Sequence, residues 1–322
     1  SAKIVDQPVP AIKKERDVVR IRYVGVCGSD KERGFQRKVT NEKPIIMGHE
    51  AAGTIDAVGP AVTSFKVGDN VAIEPGFPCR RCKNCKDGLY NLCPDMNFLS
   101  SQRTFVYKVP DDVSLQETVL VEPTAVAVHA ARLVEIKYGQ TVVVTGSGTV
   151  GLLCGAVAKA FGARRVILVD ILQKKLDFAE SFMDCQTFLV DAQSASEDTA
   201  SAISRAFGID EGVDVVIEAS GALTGIFLLK SGGSYVQAGL GKAKPEVPML
   251  ALSEKELRAR GCFRYGSDDY EQALSLITDG CVKVGALLSS IAPFDSATLA
   301  WDKTAKGNGI KNIIEGVRDY PV

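Results

Sequence analysis

One glycine-rich step, Gly146-Ser-Gly148-Thr-Val-Gly151, restricts the fold of this chain more than any other feature. It follows the strand-like run Thr141–Thr145, precedes an Ala- and Leu-rich helical stretch, and is followed 19 residues after Gly151 by Asp170. The glycines permit a tight turn, a close approach of the backbone to a ligand and close helix–strand packing, while the helix N-terminus offers N–H groups to phosphate. The sequence therefore predicts a nucleotide-binding βαβ unit.

The carboxylate of Asp170 bears on the choice of nucleotide. It ends the second strand of this unit, where it would accept hydrogen bonds from ribose hydroxyls and repel a 2′-phosphate, so we expect NAD rather than NADP. A glycine-rich turn that binds no nucleotide is the alternative. The predicted cofactor-binding residues are Gly146, Gly148, Thr149, Val150, Gly151 and Asp170.

The periodicity of the chain changes near residue 125. Residues 1–124 alternate short β-rich runs with Gly and Pro, which predicts an irregular β barrel or sandwich. Residues 125–262 alternate strands with helices, which predicts a doubly wound parallel sheet covered on both faces. Residues 263–322 contain a further helix and are expected to return to the first domain. The predicted fold class is therefore α/β with two domains.

A cluster of thiols lies in the first domain. Its members are Cys79, Cys82, Cys85 and Cys93. Three thiols on one tight loop and a fourth after a short excursion can complete a tetrahedron with no open position, which predicts a structural zinc ion. The intervening residues Lys83, Asn84, Lys86, Asp87 and Gly88 are polar turn formers, which cannot hold a lobe together by burial. Disulfides are the alternative, and the spacing favours a metal.

Composition argues against some classes of partner. The chain of 322 residues has a net charge of -1 and is 46% hydrophobic, which leaves no excess of basic residues for nucleic acid. No apolar run approaches the length of a membrane span, and the first residues do not resemble a secretory signal. We therefore expect a cytoplasmic protein that binds neither nucleic acid nor membrane.

A second metal-binding set is drawn from separate parts of the sequence. One of the 2 histidines, His49, adjoins Glu50, with Cys27 upstream and Glu122 downstream. A thiolate, an imidazole and a carboxylate brought together by folding would bind zinc and leave a position for water or substrate. Each of these residues taken alone is more often structural. The other histidine, His129, lies on an apolar helical stretch and is expected to be structural.

Several motifs together resemble one enzyme family. They are Gly25-Val-Cys27-Gly-Ser-Asp30, Gly48-His-Glu50, the thiol cluster, Val121-Glu-Pro123 and the glycine-rich turn. In this combination the chain is similar to the zinc-dependent medium-chain dehydrogenases of the polyol branch, which contains sorbitol dehydrogenase. The runs Cys79–Met96, Leu176–Glu180 and Gly261–Gly266 look most like those of the fungal xylitol dehydrogenases, or D-xylulose reductases. The resemblance covers nearly the whole chain.

The resemblance implies a GroES-like β-rich catalytic domain joined to a Rossmann coenzyme domain. It also implies that Cys27, His49 and Glu50 hold a catalytic zinc, and that Glu122 is a further ligand or contacts the zinc-bound water. Adjacent side chains on a strand point to opposite faces, so Glu50 can share the ion with His49 only if the backbone turns, which Gly48 allows.

The resemblance further implies the remaining site residues and the reaction. Ser29 would relay a proton from the substrate, and Arg264 would contact polyol oxygens or the cofactor ribose; the predicted catalytic residues are thus Ser29, Glu50, Glu122 and Arg264. The expected reaction is NAD-dependent oxidation of a polyol to a ketose, with xylitol to D-xylulose first and sorbitol or L-arabinitol as alternatives. One catalytic and one structural zinc per chain and a homodimer or homotetramer are expected. A zinc-lobe binding protein that only senses NAD is the alternative of another class.

The chain is shorter than the family in four places. These lie after Asp30, near residues 101–105, before Leu228 and after Tyr265, in loops that would border the substrate cleft. Two interpretations are open: flexible segments are missing from this sequence, or a substrate lid has been lost. We favour the first, because the junctions interrupt otherwise well-formed elements.

Overall fold

The computed structural model describes residues 3–6, 8–9, 11–14, 17–30, 46–98, 105–222, 224–241 and 243–317. Two of the four short loops, those after Asp30 and near 101–105, therefore fall largely outside the described residues. The strands are, in chain order, β1 (Asp17–Gly25), β2 (Glu50–Val58), β3 (Asn70–Glu74), β4 (Gly76–Phe77), β5 (Asn97–Phe98), β6 (Phe105–Lys108), β7 (Thr141–Thr145), β8 (Arg165–Asp170), β9 (Gln186–Leu189), β10 (Val213–Glu218), β11 (Leu229–Gln237), β12 (Arg258–Gly261), β13 (Leu288–Ala292) and β14 (Lys311–Glu315).

Helices connect these strands. They are α1 (Lys83–Lys86), α2 (Leu115–Thr118), α3 (Val121–Leu133), α4 (Thr149–Ala160), α5 (Gln173–Phe182), α6 (Ser196–Phe207), α7 (Thr224–Leu228), α8 (Met249–Glu254), α9 (Asp269–Thr278) and α10 (Ala297–Ala305). Short 3-10 turns lie at Gly28–Asp30, Tyr90–Leu92, Val284–Leu287 and Phe294–Ser296. Within the part of the chain that the structure describes, no helix is both long and apolar enough to cross a membrane.

The chain divides into two compact units. Unit 1 comprises Ser1–Glu122 and Val284–Val322, and unit 2 comprises Pro123–Lys283. Residues 263–283, which the sequence predicts to return to the first domain, are grouped with unit 2. The reason is helix α9, whose side chains Tyr270 and Ala273 are buried within unit 2.

Unit 1 is built on a mixed sheet. Its strand order is β13-β14-β1-β2-β3-β6, with β13 and β14 parallel and the other neighbours antiparallel. Among the described residues, β13 and β6 are the edge strands of this sheet, and β4 pairs with β5 separately. Helix α10 packs Ala297 and Ala300 against Val26 and Ile314. The prediction of a β-rich first domain is confirmed.

Unit 2 is built on a parallel sheet. Its strand order is β12-β11-β10-β7-β8-β9, and all neighbours run parallel. The order reverses between β7 and β10, so the loops after these strands border the crevice where doubly wound sheets bind ligands. A buried core joins Val143 and Ile167 on the strands to Ile203 on α6 and Ile226 on α7. The predicted doubly wound fold is confirmed.

Asp269, the first residue of α9, ties this helix to α3. Its carboxylate lies 2.7 Å from Nδ1 of His129 and 2.6 Å from Nη1 of Arg132, and it accepts the N–H of Gly266 at 2.6 Å. Burial by itself raises the pKa of Asp269, but the hydrogen bonds from His129 and Gly266 and the contact with Arg132 outweigh burial and lower that pKa. His129 thus has a structural partner.

Asp269→Asn should destabilise unit 2 by about 2 kcal/mol at pH 7, because an amide cannot balance the adjacent cation. Since the folded pKa of Asp269 is lowered, its contribution is present above the pKa of an unfolded aspartate, about 3.9, and is lost as pH falls through the folded value. The difference between variant and wild type should therefore be complete at pH 7 and shrink below about pH 4. Urea unfolding at both pH values measures it.

A matched control is Asp184→Asn, whose carboxylate is 94% exposed beside Lys159. Exposed pairs contribute little, so the urea midpoint of this variant should equal that of the wild type. Equal losses of stability in the two variants would contradict the role given to Asp269.

Candidate metal centres and nucleotide site

The four cysteines of the predicted structural site lie together in unit 1. Their sulfur atoms all lie within 4.8 Å of one another. The Sγ of Cys85 lies 3.9 Å from that of Cys79 and 3.4 Å from that of Cys82. All nine cysteines of the chain are described and carry free thiols. The four side chains are therefore placed to share a single ion.

Backbone N–H groups and burial set the ionisation of these thiols. The Sγ of Cys79 accepts the N–H of Cys82 at 3.3 Å, and that of Cys93 accepts the N–H of Cys79 at 3.3 Å. The N–H groups of Arg81 and Cys82 lower the pKa of Cys79 to about 6, whereas burial and the neighbouring thiols raise the pKa of Cys85 to about 12. Such close thiols cannot all ionise unless a cation balances them. Four soft donors with no open position fit structural zinc.

Burial of apolar side chains contributes little to the lobe formed by residues 79–93. Within its described residues, helix α1 buries no side chain. Asn84 donates to the carbonyl oxygen of Leu92 at 2.7 Å inside the lobe, and Tyr90 donates to Glu74 of β3 at 2.7 Å outside it. A small segment without a hydrophobic core depends on a metal for its fold.

Cys82→Ser should remove one zinc ion per chain and lower the Tm by at least about 5 °C, because the lobe loses the ion that orders it. Elemental analysis and calorimetry of the purified protein measure both effects. Cys281→Ser is the matched control, since Cys281 is an exposed thiol outside the cluster. Unchanged zinc content and Tm in Cys82→Ser would show that the cluster holds no structural ion.

A second group of donors lies elsewhere in unit 1. The ligand atoms of Cys27, His49 and Glu50 all lie within 4.8 Å of one another. Cys27 follows β1, and Glu50 begins β2 opposite Gly25. Gly48 has a φ of 93° and turns the backbone just before His49. This turn lets two adjacent side chains reach one place.

Asp30 orients the imidazole of His49. Its Oδ1 lies 3.1 Å from Nδ1 of His49, and its Oδ2 accepts the indole N–H of Trp301 at 3.1 Å. A carboxylate on one ring nitrogen fixes the tautomer and leaves the other nitrogen for a metal. Neither Asp30 nor Trp301 is predicted from the sequence as a site residue, although Asp30 belongs to the Gly-Ser-Asp step that the resemblance rests on.

The charges around His49 favour a cation at this place. Burial lowers the pKa of His49, but hydrogen bonds with Asp30 and Cys27 and the negative charges of Glu122 and Cys27 raise it well above its ordinary value. A metal ion that binds here must displace a proton from the ring. A thiolate, an imidazole and a carboxylate that leave a fourth position free fit a catalytic zinc ion.

Ser29 and Glu122, the other predicted residues of this centre, lie beside the three donors. The hydroxyl of Ser29 donates to the Sγ of Cys27 at 3.2 Å. Glu122 is 6% exposed at the start of α3, and among the described residues it falls outside the group of mutually close donor atoms. Its charge nevertheless raises the pKa of His49. Ser29 thus contacts a donor sulfur, and Glu122 acts on the centre through its charge.

Lys311 belongs to this centre and is not predicted from the sequence. Its Nζ lies 2.7 Å from Oε1 and 2.6 Å from Oε2 of Glu50, and the residue is 2% exposed. Burial lowers the pKa of Lys311, but the charges of Glu50, Cys27 and Glu122 outweigh burial and raise it, so the side chain stays an ammonium. The one sequence signal is a lysine in a short strand with two isoleucines, where an unpaired charge would be costly.

The glycine-rich turn of unit 2 joins β7 to α4. Gly146 has a φ of 92°, and a Cβ on Gly151 would lie 1.7 Å from the carbonyl oxygen of Gly146. A Cβ on Gly148 would meet no described atom within 4 Å, so the backbone faces open space there. Thr149 and Val150 begin α4 and are half-buried. A tight turn, open space and a helix N-terminus in one place fit the pyrophosphate of a dinucleotide.

Asp170 ends β8 beside this turn. Its Oδ2 accepts the N–H of Ser147 at 2.8 Å, and its Oδ1 accepts the N–H of Leu172 at 3.0 Å. The Nζ of Lys175 lies 3.7 Å from Oδ2. The backbone therefore holds the carboxylate against the turn, in a position that fits recognition of a ribose.

Glu218, at the end of β10, likewise accepts backbone hydrogen bonds from the loop that follows its strand. It accepts the N–H groups of Ser220 and Gly221, each at 2.6 Å, and the hydroxyl of Thr145. Burial raises the pKa of Glu218 in spite of these hydrogen bonds. The sequence does not predict this residue. It fixes the loop at the point where the strand order reverses.

Arg264, the predicted contact for substrate or ribose, lies in unit 2. Its φ of 58° is unusual for a residue with a side chain, and its guanidinium lies 4.8 Å from the ring centre of Phe263. Strained backbone of this kind often marks a functional position. The role of Arg264 stays a prediction.

Known families match both parts of the chain. Residues 13–132 match the alcohol dehydrogenase GroES-like domain, and residues 149–279 match the zinc-binding dehydrogenase domain. Probable D-xylulose reductase A of Neosartorya fischeri is 44% identical over 338 residues, which cover 98% of this chain and 94% of the relative. The chain belongs to the zinc-binding alcohol dehydrogenase family. It is therefore an oxidoreductase, a zinc-binding dehydrogenase as the motifs predict.

Solved structures agree with the fold of this dehydrogenase. An Escherichia coli oxidoreductase/dehydrogenase of unknown specificity matches with a TM-score of 0.88 and 32% identity, over 97% of this chain and 95% of its own. A Sinorhizobium meliloti protein described as a zinc-binding dehydrogenase, bound to NADP, matches with a TM-score of 0.85 and 26% identity, over 95% and 94% of the two chains. The predicted GroES-like and Rossmann domains are confirmed.

Proposed function

We propose that this dehydrogenase interconverts xylitol and D-xylulose, with NAD as the hydride carrier. The observation that carries the proposal is the group of half-buried Cys27 and buried His49 and Glu50, because three donors leave one position for a substrate oxygen. The identity of 44% to probable D-xylulose reductase A supports the substrate. Sorbitol and L-arabinitol offer the same chemistry and are outcomes of the test below.

One catalytic and one structural zinc ion per chain are part of this proposal. The structural ion would be held by Cys79, Cys82, Cys85 and Cys93, and the catalytic ion by Cys27, His49 and Glu50. When bound, zinc supplies Lewis acidity at the reacting oxygen and NAD supplies a hydride acceptor. A set with one thiolate gives the ion less electron density than a set with two, which favours deprotonation of a hydroxyl.

The side chains around the donors each have a task. Asp30 holds the His49 ring in one orientation, so that a single nitrogen is available to the ion. Ser29 would relay the proton of the substrate hydroxyl: its oxygen accepts that proton while its own hydroxyl proton, which donates to Cys27 in the structure, turns to a solvent acceptor. In the reduction of D-xylulose the relay would run in reverse. The negative charge of Glu122 favours a cation at the centre.

Xylitol should be oxidised with a kcat/KM at least about a hundredfold above that of ethanol, because a site that hydrogen-bonds several hydroxyls leaves polar groups unpaired with a simple alcohol. NADH absorbance with xylitol, sorbitol, L-arabinitol and ethanol measures this preference.

Cys27→Ser should lower the kcat for xylitol by about a thousandfold or more, whereas Cys281→Ser should retain the wild-type rate.

The panel also separates the alternatives. A higher kcat/KM for sorbitol or L-arabinitol would move the assignment to that polyol within the same family. A higher value for ethanol would remove the polyol assignment. Binding of NAD without turnover of any substrate would favour a protein that only senses NAD.

NAD should be preferred over NADP by at least about a hundredfold in kcat/KM, or about 2.7 kcal/mol, because the Asp170 carboxylate would face the 2′-phosphate. Asp170→Ala combined with Ile171→Arg should narrow or reverse this ratio, since Ile171 is 57% exposed and an arginine there can reach the phosphate. Asp177→Ala, on the next helix, is the control and should leave the ratio unchanged. Equal use of NADP by the wild type would show that Asp170 does not face the ribose.

A further inference from the structure

The pair of Lys311 and Glu50 has a consequence for the proposed catalytic zinc, and the inference rests on that proposed site. We propose that Lys311 is a positioning residue that holds both oxygens of Glu50 and thereby keeps this carboxylate a weak, exchangeable ligand. A carboxylate oxygen that already accepts from a buried ammonium has less electron density to offer a metal. Cys27 and His49 would then be the strong zinc ligands, and Glu50 would be the ligand that exchanges.

The sheet fixes the pair in place. Glu50 lies opposite Gly25 in β1, and a Cβ on Gly25 would lie 2.0 Å from Oε2 of Glu50. Lys311 begins β14, which pairs with the other side of β1. The two side chains therefore meet over the glycine of the strand between them. Glu50 is 1% and Lys311 2% exposed, so water does not loosen the contact.

The contact between Lys311 and Glu50 predicts whether Lys311 strengthens or weakens zinc binding. Its ammonium lies 2.7 Å from Oε1 and 2.6 Å from Oε2 of Glu50, the same carboxylate oxygens that the proposed zinc ion would use. The ammonium therefore competes with the metal for the Glu50 carboxylate. Loss of the ammonium should tighten zinc binding, whereas loss of a merely structural contact would leave zinc binding unchanged or weaken it.

The test measures the zinc dissociation constant of the weaker of the two sites by competition with a chelator, in the full-length protein. Lys311→Met should bind zinc at least about tenfold more tightly than the wild type, and Lys311→Arg should stay within about threefold of it. Lys108→Met is the matched control, because Lys108 pairs with Asp69 at 2.9 Å and is 56% exposed. Its zinc affinity should equal that of the wild type.

A double-mutant cycle shows whether the effect passes through Glu50. In a Glu50→Gln background, Lys311→Met should change the zinc dissociation constant by less than about threefold. Equal tightening with and without the Glu50 carboxylate would overturn the positioning role, and so would unchanged or weaker zinc binding in Lys311→Met. If Lys311→Met does not fold, Lys311→Gln keeps a donor for Glu50 and carries the same expected sign.

The cycle is independent of the proposed reaction. Zinc content and polyol turnover of the wild type test the reaction, and the Lys311 variants are compared only in zinc affinity. A wild type that turns over xylitol, with a Lys311→Met variant of unchanged affinity, would overturn the inference alone. A wild-type protein that binds zinc only at the four-cysteine site would overturn the proposed catalytic site and the inference together.

Discussion

The pairing of β1 with β2 on one side and with β14 on the other is the constraint on which the second metal centre depends. This register sets Gly25 opposite both Glu50 and Ile313. Because Gly25 has no side chain, Glu50 and Lys311 can meet over it, and Cys27 follows two residues later beside them. Backbone hydrogen bonds thus place the donors, which gives the site a rigid frame.

Carboxylates at strand ends give unit 2 a comparable frame. Asp170 and Glu218 each accept two backbone N–H groups, and together they hold the loops after β7 and β10, where the strand order reverses. The proposed choice between NAD and NADP and the shape of the turn therefore depend on the same residue, Asp170. Changing the carboxylate to alter cofactor preference also removes a partner from the N–H of Ser147, so tighter NADP binding and a looser turn are expected to come together.

The parts of this protein that the sequence predicts are local, and the parts that it does not predict are distant. The thiol cluster and the glycine-rich turn lie within short runs whose spacing carries their geometry. Lys311 contacts a residue 261 positions away, and Trp301 contacts Asp30 across 271 positions. No periodicity signals such contacts. The docking of α9 on α3 through Asp269 is equally non-local, and the sequence does not predict that α9 packs with unit 2.

The two metal centres differ in what holds their donors in place. In the lobe, local turns gather the sulfurs with little burial, so the proposed ion and the fold of the lobe would depend on each other. At the second candidate centre, strand pairing, the turn at Gly48 and the contact of Trp301 with Asp30 position the donors. An ion bound there would be able to exchange a ligand while the fold persists, which a catalytic position requires and a structural one does not. Burial and strand register therefore distinguish the proposed structural site from the proposed catalytic site, independently of the chemistry of their donor atoms.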